Sequence, residues 1–228
     1  MMWISLACVR APQPEVPEDL AEASEQVIFA SVEDIGSHVY NATVVREEFH
    51  QDDKLSSHVE TVEIIWSDWD NFSYRRIVDK TETLNVRVVS GTPFKKSRAG
   101  LWAKKRDAEP YRIQMSHAWN VWEQNTKPFQ AAMIKRPTEL EAIESRDTQI
   151  YILELGPLAD SDGSKFRPKS LDGKVWVDKK TAVRLKAEVK GSLSTSHGTK
   201  TMELNLERSK IGHALTLNPP TILPKEKE

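Results

Sequence analysis

The chain has 228 residues, with 32 Lys or Arg against 34 Asp or Glu and a formal net charge of −2. That length supports one sizeable core, and so even a balance gives no whole-chain field to draw in nucleic acid or an anionic membrane. Hydrophobic residues make up 39%, mean hydropathy is −0.53, and no run approaches the ~18 consecutive apolar residues of a spanning helix.

The opening Met1-Met2-Trp3-Ile4-Ser5-Leu6-Ala7-Cys8 ends on the single cysteine of the chain and is followed by a polar, proline-rich run. It resembles the end of a bacterial lipoprotein signal peptide, where a small residue precedes a cysteine that is lipidated after cleavage. The basic n-region of such signals is missing here, and Ser5 stands where they usually have Leu. A start upstream of Met1, with a longer leader, would explain both; the bland reading of Cys8 is a terminal thiol without a role. Residues 9–19 hold three prolines and no periodic apolar face, which predicts an extended tether or an N-terminal tail.

A short amphipathic helix is expected from Asp19 to Ile28, and the folded domain is expected to run from 20 to 218. From Gly36 the residues turn β-branched and aromatic. Strands are predicted over 38–48, 58–66, 72–78, 83–89 and 100–105, separated by polar turns at Gln51–Lys54, Ser67–Asn71 and Asp79–Glu82 and by a loop from Ser90 to Ala99. From Tyr111 to Arg146 the spacing shifts toward helix. Trp119 and Trp122, then Phe129 and Met133, mark apolar faces; Pro128 and Pro137 divide the region into two or three short helices, with Glu139–Glu144 as a further helical turn. A strand follows over 148–155, then a polar loop from Pro157 to Ser170, and residues 219–228 close as a tail.

The late stretch carries the clearest pattern. In Val183 to Lys190 apolar and charged residues alternate, and Met202, Leu204 and Leu206 repeat that alternation. Period two means a strand with one buried and one wet face, and the Ser/Thr/Gly-rich link between the two runs means antiparallel neighbours. Strands, a helical insert and more strands give an α+β domain: a curled antiparallel sheet of roughly eight to ten strands, an incomplete β-barrel, with short helices over its concave face.

No phosphate loop, nucleophile elbow, Cys-x-x-Cys or His-x-x-x-His pair is present, and the six histidines are scattered, so neither a catalytic residue, a metal site nor a cofactor is expected. Asp68/Asp70 and Asp160/Asp162 lack the bidentate Glu of a calcium loop and read as solvated turns. Lys95, Lys96, Arg98, Lys104, Lys105 and Arg106 form a local basic cluster around Trp102, read as a solvated loop or as a contact for anionic headgroups or a charged partner. No nucleic-acid footprint is expected. Seven tryptophans stand out. They either fill the core between helices and sheet or line an apolar hollow there.

Gly173-Lys-Val-Trp-Val-Asp-Lys-Lys-Thr-Ala-Val-Arg-Leu-Lys-Ala-Glu-Val-Lys190 resembles the late hairpin of the bacterial lipoprotein-sorting carrier superfamily, LolA/LolB-like proteins and the related mycobacterial lipid-carrying lipoproteins. The order of elements is similar over residues 20–218. The resemblance implies a hollow that accepts a lipid or acyl chain, attachment to the membrane through Cys8, a possible lipoprotein client, a location in the bacterial envelope facing the periplasm, and no enzymatic activity. Helical placement and strand alternation make Trp119, Trp122, Phe129, Met133, Leu185, Val189 and Leu204 the expected lining. The alternative is a structural lipoprotein whose core is filled by its own side chains.

Overall fold

A computed structural model describes residues 35–156 and 167–222. Cys8, the tether, the expected helix at Asp19–Ile28 and Asp160/Asp162 lie outside these. Eleven strands form one antiparallel sheet: β1 (His38–His50), β2 (Asp53–Asp68), β3 (Asn71–Val78), β4 (Thr81–Val89), β5 (Thr92–Lys96), β6 (Trp102–Lys104), β7 (Met133–Ile143), β8 (Arg146–Leu155), β9 (Arg167–Asp178), β10 (Arg184–Thr195) and β11 (Gly198–Ser209). Helices α1 (Glu109–Ala118) and α2 (Val121–Thr126) and a 3-10 turn (Lys127–Ala132) separate β6 from β7.

The spatial order is β6-β5-β4-β3-β2-β1-β11-β10-β9-β8-β7. Two meanders are therefore joined along a β1–β11 seam, with β6 and β7 as the two outer edges. Because those edges do not pair, the sheet is not closed into a barrel, and it is not strongly curled. Three hairpins turn on two residues that both have positive φ: Asp79-Lys80, Ser90-Gly91 and Glu144-Ser145. That geometry matches the right-handed twist of the strands it joins.

Residues 105–132 leave one edge of the sheet and re-enter at the other. Eleven strands at ~4.8 Å spacing measure about 48 Å across if flat, so the helical strap has to cross the whole face. Asp107 Oδ1 accepts the Glu109 backbone N–H at 2.9 Å, and Pro110 sits in the first turn of α1, where its missing N–H is harmless. On the strap side, period two places Tyr40, Ala42 and Val44 (β1), Val62, Ile64 and Trp66 (β2), Phe72 and Tyr74 (β3), Leu204 and Leu206 (β11), Ala187 and Val189 (β10) and Val175 and Val177 (β9) in one buried cluster with Met115, Trp119, Trp122 and Phe129. The opposite face carries exposed ion pairs such as Arg75 with Glu63 (3.1 Å) and Glu82 (2.8 Å), each worth little in water.

Several expected helical or looped stretches are strands: Met133, expected on a helix, opens β7, and Arg167–Ser170, expected in a loop, opens β9. Glu139–Glu144 belongs mostly to β7, and the Ser90–Ala99 loop contains β5. β7 hides its identity behind Pro137, which an edge strand tolerates at a register shift between Pro137 and Leu140. Strand pairing overrides the weak helical spacing there.

The late hairpin is pinned by Asp178, whose side chain is almost wholly buried. Its carboxylate accepts Arg146 Nη1 at 2.6 Å, Thr181 Oγ1 at 2.7 Å and the Lys180 N–H at 3.2 Å. Arg146 in turn donates to Ile35 O at 3.1 Å, tying three chain segments together. Removing the acid strands a guanidinium and two local donors. Asp178→Ala is expected to lower the unfolding free energy by about 3–5 kcal/mol in a denaturant titration; a loss under about 1 kcal/mol would exclude this pinning role.

Candidate binding face under the helical strap

The expected lining residues are not all brought together. Trp119, Trp122, Phe129, Val189 and Leu204 are buried in the main cluster, and Met133 is half-buried against it. Phe129 lies over Gly191, so closely that a Cβ there would come within 2.6 Å of its Cζ. Glycine is what lets the ring descend onto β10. Leu185 sits elsewhere, in a small cluster with Ile35, Val183 and Ile211. The cause is a bulge between Arg184 and Lys186, which pairs Arg184 with Val177 and breaks the alternation that the sequence displays. Arg184, rather than Leu185, faces the strap.

A groove of about 430 Å³ opens between strap and sheet. Val62, Tyr74 and Leu84 form its floor and Ala118 and Val121 its roof, with Gln114, His117 and Gln124 along the helical rim. The sheet-side rim is an ion-pair chain. Glu60 accepts Arg76 at 2.7 Å and Arg46 at 3.1 Å, and Arg46 Nε donates to Asn125 Oδ1 on α2 at 3.0 Å. Burial pushes the Glu60 carboxyl up, but the two guanidinium groups outweigh it and hold the group below the ordinary carboxylate range.

The other end of the same face is aromatic and cationic. Trp119, at the C-terminus of α1, meets Trp66 and Trp69 edge-on with centroids 5.9 and 6.0 Å away and stacks on His38 at 6.1 Å. Behind this lid, Arg184 lies over Trp122 at 4.8 Å and binds Glu123 Oε1 at 3.0 Å. Arg208 lies over Tyr40 at 4.8 Å and donates to Arg184 O. Burial lowers the Arg208 guanidinium to about 10, which leaves it charged at neutral pH, and raises the Tyr40 phenol to about 12. His38 donates from Nδ1 to Gly36 O at 3.0 Å. Burial first, and then the Arg208 charge, lower its pKa to about 3, so the ring is neutral.

Arg208 was legible as the next inward position after Met202, Leu204 and Leu206. Arg184 was not, because a bulge has no sequence marker of its own. Among the described residues no group of three or more His, Cys, Asp or Glu is placed to hold a metal ion. Asp68 instead caps its own turn through the Asp70 N–H and the Asn71 amide, and Asp70 pairs with Arg112 at 2.5 Å.

No family model matches the chain, and no curated protein matches it. Solved structures do. The chain is similar to a LolA superfamily protein from Nitrosomonas europaea, at 9% identity over 81% of this chain and 93% of that one, TM-score 0.24. The Mycobacterium tuberculosis lipoprotein LppX aligns at 12% identity over 88% of this chain and 100% of its own, TM-score 0.33. MucB in the Pseudomonas aeruginosa MucA/MucB complex aligns at 14% identity over 84% of this chain and 58% of its own, TM-score 0.29.

A neutral buried His38 has a definite pH signature. The unfolded chain takes up a proton near pH 6.5 that the folded chain accepts only near 3, so stability is full above 6.5 and falls as pH drops through that window, by at most about 1.4 kcal/mol per unit. Glu60 adds its own loss only where carboxylates titrate, so pH 6.5 to 5 isolates the histidine. In urea titrations His38→Gln is expected to flatten the profile there by about 1–2 kcal/mol relative to the wild type; parallel profiles would refute the assignment.

Proposed function

We propose that the chain is an envelope lipoprotein, anchored through Cys8 and facing the periplasm, that holds a lipid or an acylated protein between the sheet and the helical strap. The observation that carries this reading is the 430 Å³ groove, where Val62, Leu84, Ala118 and Val121 offer contact to hydrocarbon within an otherwise largely polar lining that leaves a headgroup or client in water. Trp119, Trp122, Phe129, Met133, Val189 and Leu204 are its deeper lining, reached when cargo parts the strap from the sheet. Leu185 is not part of this lining, because the bulge turns it into the separate cluster with Ile35, Val183 and Ile211.

A second reading has its own support. Phe129 fills the space over Gly191, and the strap tryptophans are as buried as core residues. On that reading the face is filled by its own side chains, and the chain is a structural or interaction lipoprotein.

Native mass spectrometry and a fluorescent fatty acid separate the two. Carrier function predicts bound lipid in the purified protein and saturable probe binding. Gln114→Trp, at the exposed rim, is expected to narrow the mouth and weaken the probe about tenfold, or ~1.4 kcal/mol. A protein that carries no lipid and binds no probe is the structural lipoprotein instead. For the anchor, metabolic labelling with an acyl analogue in the bacterial host should mark the full-length gene product and not Cys8→Ala; an unlabelled wild type would remove the membrane attachment from the reading.

A further inference from the structure

Arg208 is buried to 2% exposure on an inward position of β11. Its partners are the Arg184 carbonyl and the face of the Tyr40 ring, and its Nε has no hydrogen-bond acceptor. No carboxylate pairs with it among the described residues. Arg184, immediately beside it, already has Glu123. The Tyr40 hydroxyl and His38 Nε2, both fully buried, also lack partners. A buried guanidinium without a counter-anion is costly, and so is each unmatched buried polar atom. Three such groups sit side by side: Tyr40 is the direct cross-strand partner of Arg208, and His38 lies two residues along on the same face of β1.

We propose that Arg208 and Tyr40 form a buried seat for an anionic group, a carboxylate or a phosphate monoester at the end of an aliphatic cargo. The guanidinium fork supplies paired N–H donors matched to either anion, and the phenol adds an O–H donor. Neutral His38, with its proton fixed on Nδ1, offers only a lone pair at Nε2, which accepts a hydrogen bond from the O–H of a singly protonated phosphate. The cross-strand row Arg208–Tyr40–Ile64–Tyr74 leads from this seat to Tyr74 on the floor of the groove. An acyl chain seated by its head therefore lies along that row, with its tail toward Val62 and Val121. Charge preference comes from the seat and affinity for hydrocarbon from the groove.

This inference rests on the acyl-binding reading, and the test separates the two. The full chain, stripped of lipid, is titrated with palmitate, hexadecyl phosphate and hexadecanol. The wild type is expected to bind at least one anionic probe about tenfold or more tighter than the alcohol, the scale of a charge-assisted hydrogen bond; whichever anion leads identifies carboxylate or phosphate as the natural head. Arg208→Gln is expected to erase that preference while keeping hexadecanol binding, and Tyr40→Phe, which retains the ring, to reduce it about threefold. If Arg208→Gln does not fold, Tyr40→Phe and Arg208→Lys decide. Equal affinity for all three probes in the wild type, or a preference that survives in every variant, overturns the anion seat and leaves acyl binding intact. Binding of none overturns both.

Discussion

The two edges of the sheet are consecutive in the chain. β6 ends one edge, β7 begins the other, and residues 105–132 have to bridge the full width of eleven strands. Two short helices and a 3-10 turn reach that far only by lying against the sheet, which fixes which face is covered, where the tryptophans of the strap land and why the opposite face is free to carry ion pairs. The strap is thin relative to what it covers. A groove consequently remains where α1 and α2 pass over β2, β3 and β4, while the 3-10 turn seals the β9–β10 side by pressing Phe129 onto Gly191.

Polarity along the covered face is arranged in a sequence of its own. One end is closed by Arg46, Glu60 and Arg76 with Asn125 of α2, a set in which both guanidinium groups reach the one carboxylate. The middle is apolar. At the other end one cation has no carboxylate at all among the described residues: Arg184 has Glu123, Arg146 has Asp178, and Arg208 has neither. Desolvation makes that imbalance matter, because water is excluded by the His38, Trp66, Trp69 and Trp119 rings packed against one another.

Strands with one wet face were readable from alternation alone, and so were the antiparallel order and the insertion of helices between two runs of strands. What escaped was local. β7 reads as part of the helical insert because Pro137 and a register shift spoil its strand period. The bulge at Arg184 exchanges an apolar residue for a charged one on the buried face, so the cleanest alternating stretch in the chain misled about its own first turn of pattern. Trp66 and Trp69, which close the cationic end, looked like residues of a strand end and a turn. Their role depends on Trp119 arriving from some fifty residues further along the chain, which no local spacing encodes.

The seam between β1 and β11 has a consequence for how the molecule is made. It lies at the centre of the sheet, yet it joins residues such as Val39 and Ser209, nearly the whole described chain apart. Every other neighbouring pair joins strands that are consecutive in sequence, and can form while the chain is still growing. The first meander therefore waits, with β1 an unpaired and largely apolar edge on its inner side, until the last strand is available. Such a delay exposes a strand template of the kind that aggregates, and it makes the final dozen residues of the sheet, rather than the first, the step that commits the fold.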